Sequence, residues 1–150
     1  SYVQVNGSET KTASGSFINH SEKLVVVNLV LKFINQNPDI EGSQIGVIAL
    51  YSSQAYLIQQ ALAAPDLLDK YPKISGIKTS TVDAFQGAER DIIIVSTCRS
   101  TSIGFTDCVE RLNVLLTRGK YHFILVGNEV LQSSSLWSKI ISGCEKSNSN

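Results

Sequence analysis

Short apolar runs that alternate with amphipathic segments constrain the fold of this chain more than any other feature. Three runs are nearly continuous, as in strands that are buried on both faces: Ile45–Leu50, Asp91–Ser96 and Tyr121–Val126. Two shorter runs, Tyr2–Val5 and Lys73–Thr79, are predicted as further strands. Segments with a helical spacing of apolar residues separate these runs. The chain is therefore predicted to be an α/β protein with a mainly parallel sheet covered by helices.

The predicted helices begin and end at residues typical of helix termini. Their apolar residues recur at helical spacing in Glu22–Asn35, Ser53–Ala63, Val109–Arg118 and Leu131–Glu145. Ser21 is predicted to cap the first helix, and Asn37-Pro38 to end it. The Gly/Ser/Thr-rich stretch Gly7–Ser16 is predicted as a loop. With 150 residues and no internal repeat, the sequence predicts one domain.

Composition excludes several classes of protein. Thirteen basic and thirteen acidic residues cancel, so any contact with nucleic acid has to be local. Three widely spaced cysteines predict neither a metal site nor a disulfide framework, which favours a reducing, intracellular compartment, cytoplasmic or nuclear. The apolar run Leu24–Ile34 is too short to span a bilayer, and no secretory signal is present, so no membrane association is expected. Because Ser1 is not a methionine, we expect a fragment or a processed chain.

The sequence contains no GxxxxGK[ST] phosphate loop and no GxGxxG turn. A domain of this kind that works on a nucleotide cannot hold the phosphates alone. Polar side chains do follow the predicted strands, where ligands bind in open α/β sheets. These segments are Tyr51–Gln54, Ser80–Glu89, Cys98–Ser100 and Arg111–Lys120.

Three segments are similar, in order and spacing, to motifs IV, V and VI of superfamily 1 helicases. They read IGVIALYSSQ, STVDAFQGAERDIIIVSTCRS and ERLNVLLTRGKYHFILVGN. The match resembles most the up-frameshift-like superfamily 1B group, which includes the nonsense-mediated-decay helicase, senataxin and related DNA-repair helicases. It extends from about Tyr2 through Trp137. The resemblance implies that residues 1–150 form the second of two RecA-like domains, with ATP in the cleft between them.

The resemblance assigns four residues to the nucleotide. Arg118 matches the motif VI arginine, whose forked guanidinium stabilises charge on the γ-phosphoryl oxygens; from the residues alone, Arg118 is a helix-end arginine facing the helix dipole. Gly87 permits close backbone approach to a phosphate, and Glu89 accepts hydrogen bonds from ribose hydroxyls unless it forms a solvated ion pair. Gln86 is predicted to couple the nucleotide cleft to the surface that binds the nucleic-acid strand. The alternative is that Gln86 is an amide side chain in an ordinary turn, without a role in binding.

Four other residues are assigned to nucleic acid. The hydroxyls of Ser80 and Thr81 suit backbone phosphate oxygens. Tyr51 and Gln54 either contact the nucleic-acid strand or brace motif V. The same residues would also be expected if they were ordinary polar residues at the end of a β-strand. Contacts to the nucleic-acid backbone predict little preference for a particular nucleotide sequence.

Departures from the family pattern limit what this chain does alone. Leu50 stands where a proline is usual, and Lys120 replaces the second motif VI arginine. A further arginine segment of the family, QYRMHP, is absent. The resemblance implies that the first RecA-like domain mainly holds ATP and Mg²⁺, and the isolated chain is expected to be inactive because it lacks the phosphate loop and the metal-binding acid.

The predicted function is the motor domain of an ATP-dependent 5′–3′ helicase that grips single-stranded RNA or DNA. One rival is a non-catalytic helicase-like module retained for protein or RNA contacts. A second rival, a small flavodoxin-like domain, would need an acidic cluster or a phosphate-binding turn at the first strand, which Gly7–Ser16 does not offer.

Overall fold

A computed structural model describes residues 1–85, 90–101 and 122–147 of the chain. The strands in these residues are β1 (Tyr2–Gln4), β2 (Thr10–Lys11), β3 (Phe17–Ile18), β4 (Ile45–Ala49), β5 (Lys78–Thr81), β6 (Ile92–Ser96) and β7 (His122–Gly127). The α-helices are α1 (His20–Gln36), α2 (Ser52–Leu62), α3 (Pro65–Lys70), α4 (Val82–Phe85) and α5 (Ser135–Ser147). Short 3-10 helices occupy Gly42–Gln44, Pro72–Gly76 and Glu129–Ser133.

Five of the strands form one sheet in the order β1-β7-β6-β4-β5, and every neighbouring pair is parallel. Ile94 of β6 pairs with Val47 on one side and with Ile124 on the other. The strands β2 and β3 form a separate antiparallel hairpin. The prediction of an α/β, mainly parallel, RecA-like domain is thereby confirmed.

Alternate residues of the central strands enter two separate layers of the core, because successive side chains of a strand point to opposite faces. On one face, Ile48, Ile93 and Val95 pack with Phe85 of α4 and Trp137 of α5. The opposite face carries a second cluster from the same strands, packed against α1 and α2. Its fully buried members are Val26, Val30, Val47, Ala49, Ile58, Ile94 and Val126. This burial explains why the strands read as continuous apolar runs.

The structure corrects the predicted start of the first helix. Asn19, rather than Ser21, is the N-cap: its backbone is extended and its side chain accepts from the Glu22 amide at 3.1 Å. Asn37 is the C-cap, as the Asn-Pro pair predicted. Among the described residues, no helix is long and apolar enough to cross a bilayer.

Two other predicted boundaries were wrong. The predicted strand Lys73–Thr79 is β5, shifted to Lys78–Thr81, because Pro72–Gly76 forms a 3-10 helix with its proline in the first turn. The predicted helix Leu131–Glu145 is instead a 3-10 helix, capped by Asn128, followed by α5. The predicted helix Val109–Arg118 lies outside the described residues.

Candidate nucleic-acid interface

The carboxyl ends of three parallel strands bring the predicted motif segments to one edge of the sheet. Ala49, the last residue of β4, pairs with Thr81 of β5 and with Ser96 of β6. The polar segments that follow these strands therefore start side by side. Ligands of open α/β sheets bind at this edge, so the topology supports the position predicted for the site.

Ser80 and Thr81 are half-buried at the end of β5. The Ser80 hydroxyl donates a hydrogen bond to the backbone carbonyl of Thr81 at 3.1 Å. Adjacent residues of a strand point to opposite faces, so the two hydroxyls address different sides of the sheet edge. Both side chains keep enough exposure to reach a ligand at this edge.

Gln54 does not occupy the position expected of a strand-binding residue. Its side chain is fully buried, and its Oε1 accepts from the Asn19 amide at 2.8 Å. Its Nε2 donates to the Asn19 carbonyl and to the Ser96 hydroxyl. Of the two predicted roles of Gln54, this arrangement favours bracing, because the amide ties the start of α1 to the end of β6.

Tyr51 is 5% exposed and is likewise built into the domain. Its ring packs edge-to-face against Phe17 with the centroids 5.1 Å apart. Its hydroxyl accepts a hydrogen bond from Arg99 at 2.9 Å, and burial raises the Tyr51 pKa. Of the two predicted roles, bracing and strand contact, this arrangement favours bracing.

Arg99 is the functional candidate that the sequence left without a role. Its Nε lies 2.8 Å from the Glu9 carboxylate, and its guanidinium carbon lies 4.1 Å from the centroid of the Phe17 ring. Only its place directly after β6 signalled it, since Glu9 belongs to the predicted loop Gly7–Ser16 and Phe17 directly follows that loop. Burial alone would lower the Arg99 pKa, but the hydrogen bonds with Tyr51 and Glu9 raise it.

Glu9 holds the backbone that follows Arg99. One carboxylate oxygen accepts from the amides of Ser100 and Thr101 at 3.0 and 2.8 Å, and from the Thr101 hydroxyl at 2.7 Å. Burial would raise the Glu9 pKa, but these hydrogen bonds and the one from Arg99 outweigh it and lower the pKa to about 2. Glu9 therefore stays ionised and anchors this loop to the hairpin.

Glu22 holds the backbone that precedes Arg99. It is fully buried, and its carboxylate accepts from the Ser96 hydroxyl at 2.8 Å and from the Cys98 amide at 2.9 Å. Burial raises its pKa to about 7, against the lowering effect of the hydrogen bonds. Cys98 has a φ of 72°, a left-handed conformation that non-glycine residues seldom adopt. Burial and the nearby carboxylates also raise the pKa of its thiol, so it is not an activated nucleophile.

The residues assigned to the nucleotide, Gln86, Gly87, Glu89 and Arg118, lie outside the described residues. In the described part of the chain, no group of three or more histidine, cysteine or acidic side chains could hold a metal ion. The geometry of the described residues concerns the part of the site that the sequence assigned to nucleic acid.

The sequence profile of the AAA domain family matches residues 1–130, which include the whole of this sheet edge. This chain belongs to the AAA domain family. The match covers most of the chain and all three helicase-like segments, and with the relatives below it confirms the resemblance to up-frameshift-like superfamily 1 helicases.

Relatives with curated names place this AAA domain among helicases. The chain is 39% identical over 145 residues to the mouse 5′-3′ DNA helicase ZGRF1, covering 96% of this chain and 8% of that protein. It is 40% identical over 141 residues to Regulator of nonsense transcripts 1 of Caenorhabditis elegans, covering 91% of this chain and 13% of that protein. It is 38% identical over 144 residues to Helicase sen1 of Schizosaccharomyces pombe, covering 91% of this chain and 8% of that protein. The chain thus spans about a tenth of the length of these relatives.

Proposed function

We propose that this chain is the second RecA-like motor domain of an ATP-dependent helicase that moves 5′ to 3′ along single-stranded nucleic acid. The observation that carries the proposal is the meeting of motifs IV and V at the carboxyl edge of one parallel sheet. The similarity of nearly the whole chain to proteins named as helicases supports it.

In this proposal, the first RecA-like domain of the full-length protein holds ATP and Mg²⁺, and this domain completes the site. The metal and the triphosphate supply the phosphoryl-transfer chemistry. Arg118 donates to the γ-phosphoryl oxygens, where charge develops in the transition state. Gly87 and Glu89 border the phosphates and the ribose, and Gln86 joins this cleft to the strand-binding surface.

Nucleic acid is gripped at the end of β5. Ser80 and Thr81 are partly exposed there, and hydroxyl groups bind backbone phosphates without reading bases. In this proposal Gln54 and Tyr51 act indirectly by bracing the ends of the β-strands, and their burial supports this role. The printed names of the relatives include a DNA helicase and regulators of nonsense transcripts, so either RNA or DNA is a candidate substrate. We expect an intracellular protein.

The test measures ATP turnover by the full-length protein with single-stranded DNA, single-stranded RNA or no nucleic acid. We expect one of the strands to stimulate turnover. Arg118→Ala should lower kcat about a thousandfold or more while strand binding largely survives. Arg118→Lys is the matched control, since it keeps the charge but loses the fork.

Residues 1–150 alone should show no turnover, because the sequence has no phosphate loop. Turnover by this chain alone would contradict the division of labour between two domains. A full-length protein that binds strands or partner proteins but never hydrolyses ATP would indicate the non-catalytic module instead.

A further inference from the structure

A notch of about 360 Å³ opens beside Arg99, between the hairpin and the ends of β4 and β6. The side chains and backbone that matter for its chemistry are Ser14, Gly15, Ser16, Tyr51, Ser52 and Arg99. Three of them are serines and one carries a permanent positive charge. The notch lies at the same carboxyl edge as Thr81, because β4 pairs with β5 through Ala49.

Two carboxylates fix the position of the charge in this notch. The Glu22 carboxylate holds the Cys98 amide on one side of Arg99, and Glu9 holds the amides of Ser100 and Thr101 on the other. The guanidinium itself is directed by the Phe17 ring and the Tyr51 hydroxyl. A cation held this way loses little side-chain entropy when it meets an anion.

Glu9 stays ionised and offsets part of the Arg99 charge, and the Ser100 and Thr101 donors share its negative charge. Its side chain is 7% exposed, and its oxygens accept from Arg99, Ser100 and Thr101. The hairpin strands carry one charged side chain, Lys11, which is exposed. The local balance therefore favours a single phosphate monoanion over a polyphosphate.

Hydroxyl groups complete the notch. Ser16 Oγ accepts from the Ser53 amide at 3.3 Å, and its own O–H can donate to a ligand. Ser14 and Ser52 are exposed at the rim. Gly15 has a φ of +84°, and a Cβ placed on it would meet no atom within 4 Å, so the rim has room for a ligand at this point.

We propose that this notch binds one backbone phosphate of single-stranded nucleic acid, with Arg99 as the cation and the three serine hydroxyls as donors. This rests on the proposed function, which it deepens by adding a second contact on the edge that Thr81 occupies. Arginine and serine groups of this kind are common phosphate ligands that do not discriminate between bases.

The experiment compares two charge-matched pairs in the full-length protein: Gly15→Asp with Gly15→Asn, and Ser52→Asp with Ser52→Asn. Aspartate and asparagine have nearly the same shape, and both tolerate a positive φ, so only the charge differs within a pair. Binding of a fluorescent oligonucleotide is measured by anisotropy over a range of KCl concentrations. Each aspartate variant should bind roughly two- to fivefold more weakly than its asparagine partner at low salt.

The salt dependence separates a lost phosphate contact from a fold defect. Loss of one contact should make the slope of log K against log[KCl] shallower by about 0.7. Equal affinities and equal slopes within both pairs would overturn the notch while leaving strand binding at Thr81 intact. A wild-type protein that binds no strand would overturn the proposed function as well.

A test with inorganic phosphate distinguishes a notch that binds a backbone phosphate of the nucleic-acid strand from one that binds free phosphate. Added at constant ionic strength, inorganic phosphate should not displace the oligonucleotide more than sulfate does. Phosphate binding measured directly by equilibrium dialysis that Gly15→Asp abolishes, and that is equally tight with and without saturating oligonucleotide, would assign the notch to free phosphate and overturn the strand contact.

Discussion

The Glu22 carboxylate accepts a hydrogen bond from Ser96 Oγ at 2.8 Å, which joins the first turn of α1 to the last residue of β6. Both side chains are fully buried. Ser96 also accepts from Gln54 Nε2, so one hydroxyl links α1, β6 and α2. A buried carboxyl group is costly in its charged form, even with hydroxyl and amide donors beside it. Ionisation of Glu22 should therefore lower the free energy of unfolding by a measurable amount.

Glu22 should make the stability of the domain fall as pH rises through the range in which it ionises. Its pKa is about 7 when folded, against an ordinary value of 4.5. Between these two values the folded chain keeps a proton that the unfolded chain releases, so the free energy of unfolding decreases with rising pH. Glu22→Gln, which cannot ionise, should remove a loss on the order of 3 kcal/mol between pH 4.5 and 7.

The measurement is urea unfolding of both proteins at several pH values. His122 acts in the opposite direction, since burial and then the charge of the N-terminus lower its pKa, but it is common to both proteins and cancels in their difference. Glu9, with its pKa of about 2, acts below this range. Parallel stability curves for the two proteins would show that Glu22 does not titrate as inferred.

Gln54→Leu should destabilise the domain by about 1–3 kcal/mol, because it leaves the buried Asn19 amide without its acceptor, while the Asn19 carbonyl keeps the Lys23 amide and Ser96 keeps Glu22. Leucine has a similar volume, so the loss comes from hydrogen bonding rather than from a cavity. Gln59→Leu, at an exposed position of the same helix, is the control and should change stability by less than about 0.5 kcal/mol. Thermal or chemical denaturation checks both, and equal effects would argue against the bracing role.

Gly46→Ala should destabilise the domain by about 1–3 kcal/mol through overpacking. A Cβ at Gly46 of β4 would lie 2.6 Å from Cε2 of Phe85, whose ring is 1% exposed in the core. Gly143→Ala is the control: the same change in α5 meets no atom within 4 Å and should be neutral or stabilising by up to about 1 kcal/mol. Denaturant midpoints decide the matter, and a tolerated Gly46→Ala would mean that Phe85 has room to move.

Local sequence patterns predicted the architecture because the three central strands, β4, β6 and β7, each have their own apolar signature. Residues 92–95 and Ile45–Ala49 are apolar throughout, since helices cover both faces of the sheet, and their assignment needed no knowledge of their partners. The N-cap of α1 was misplaced by two residues, because Asn19 and Ser21 are both good capping residues and only the observed hydrogen bond to Glu22 separates them.

The sequence by itself determined the parallel α/β class, and the motif segments with their spacing determined the helicase family. Tertiary structure alone decided which polar residues are buried. Gln54 and Tyr51 read as surface residues at a strand end, yet they are fastened to Asn19 and Arg99. The partners Glu9 and Ser100 lie 91 positions apart in the chain. Such pairs leave no local periodicity, because a buried hydrogen bond depends on where the folded chain brings its two groups together.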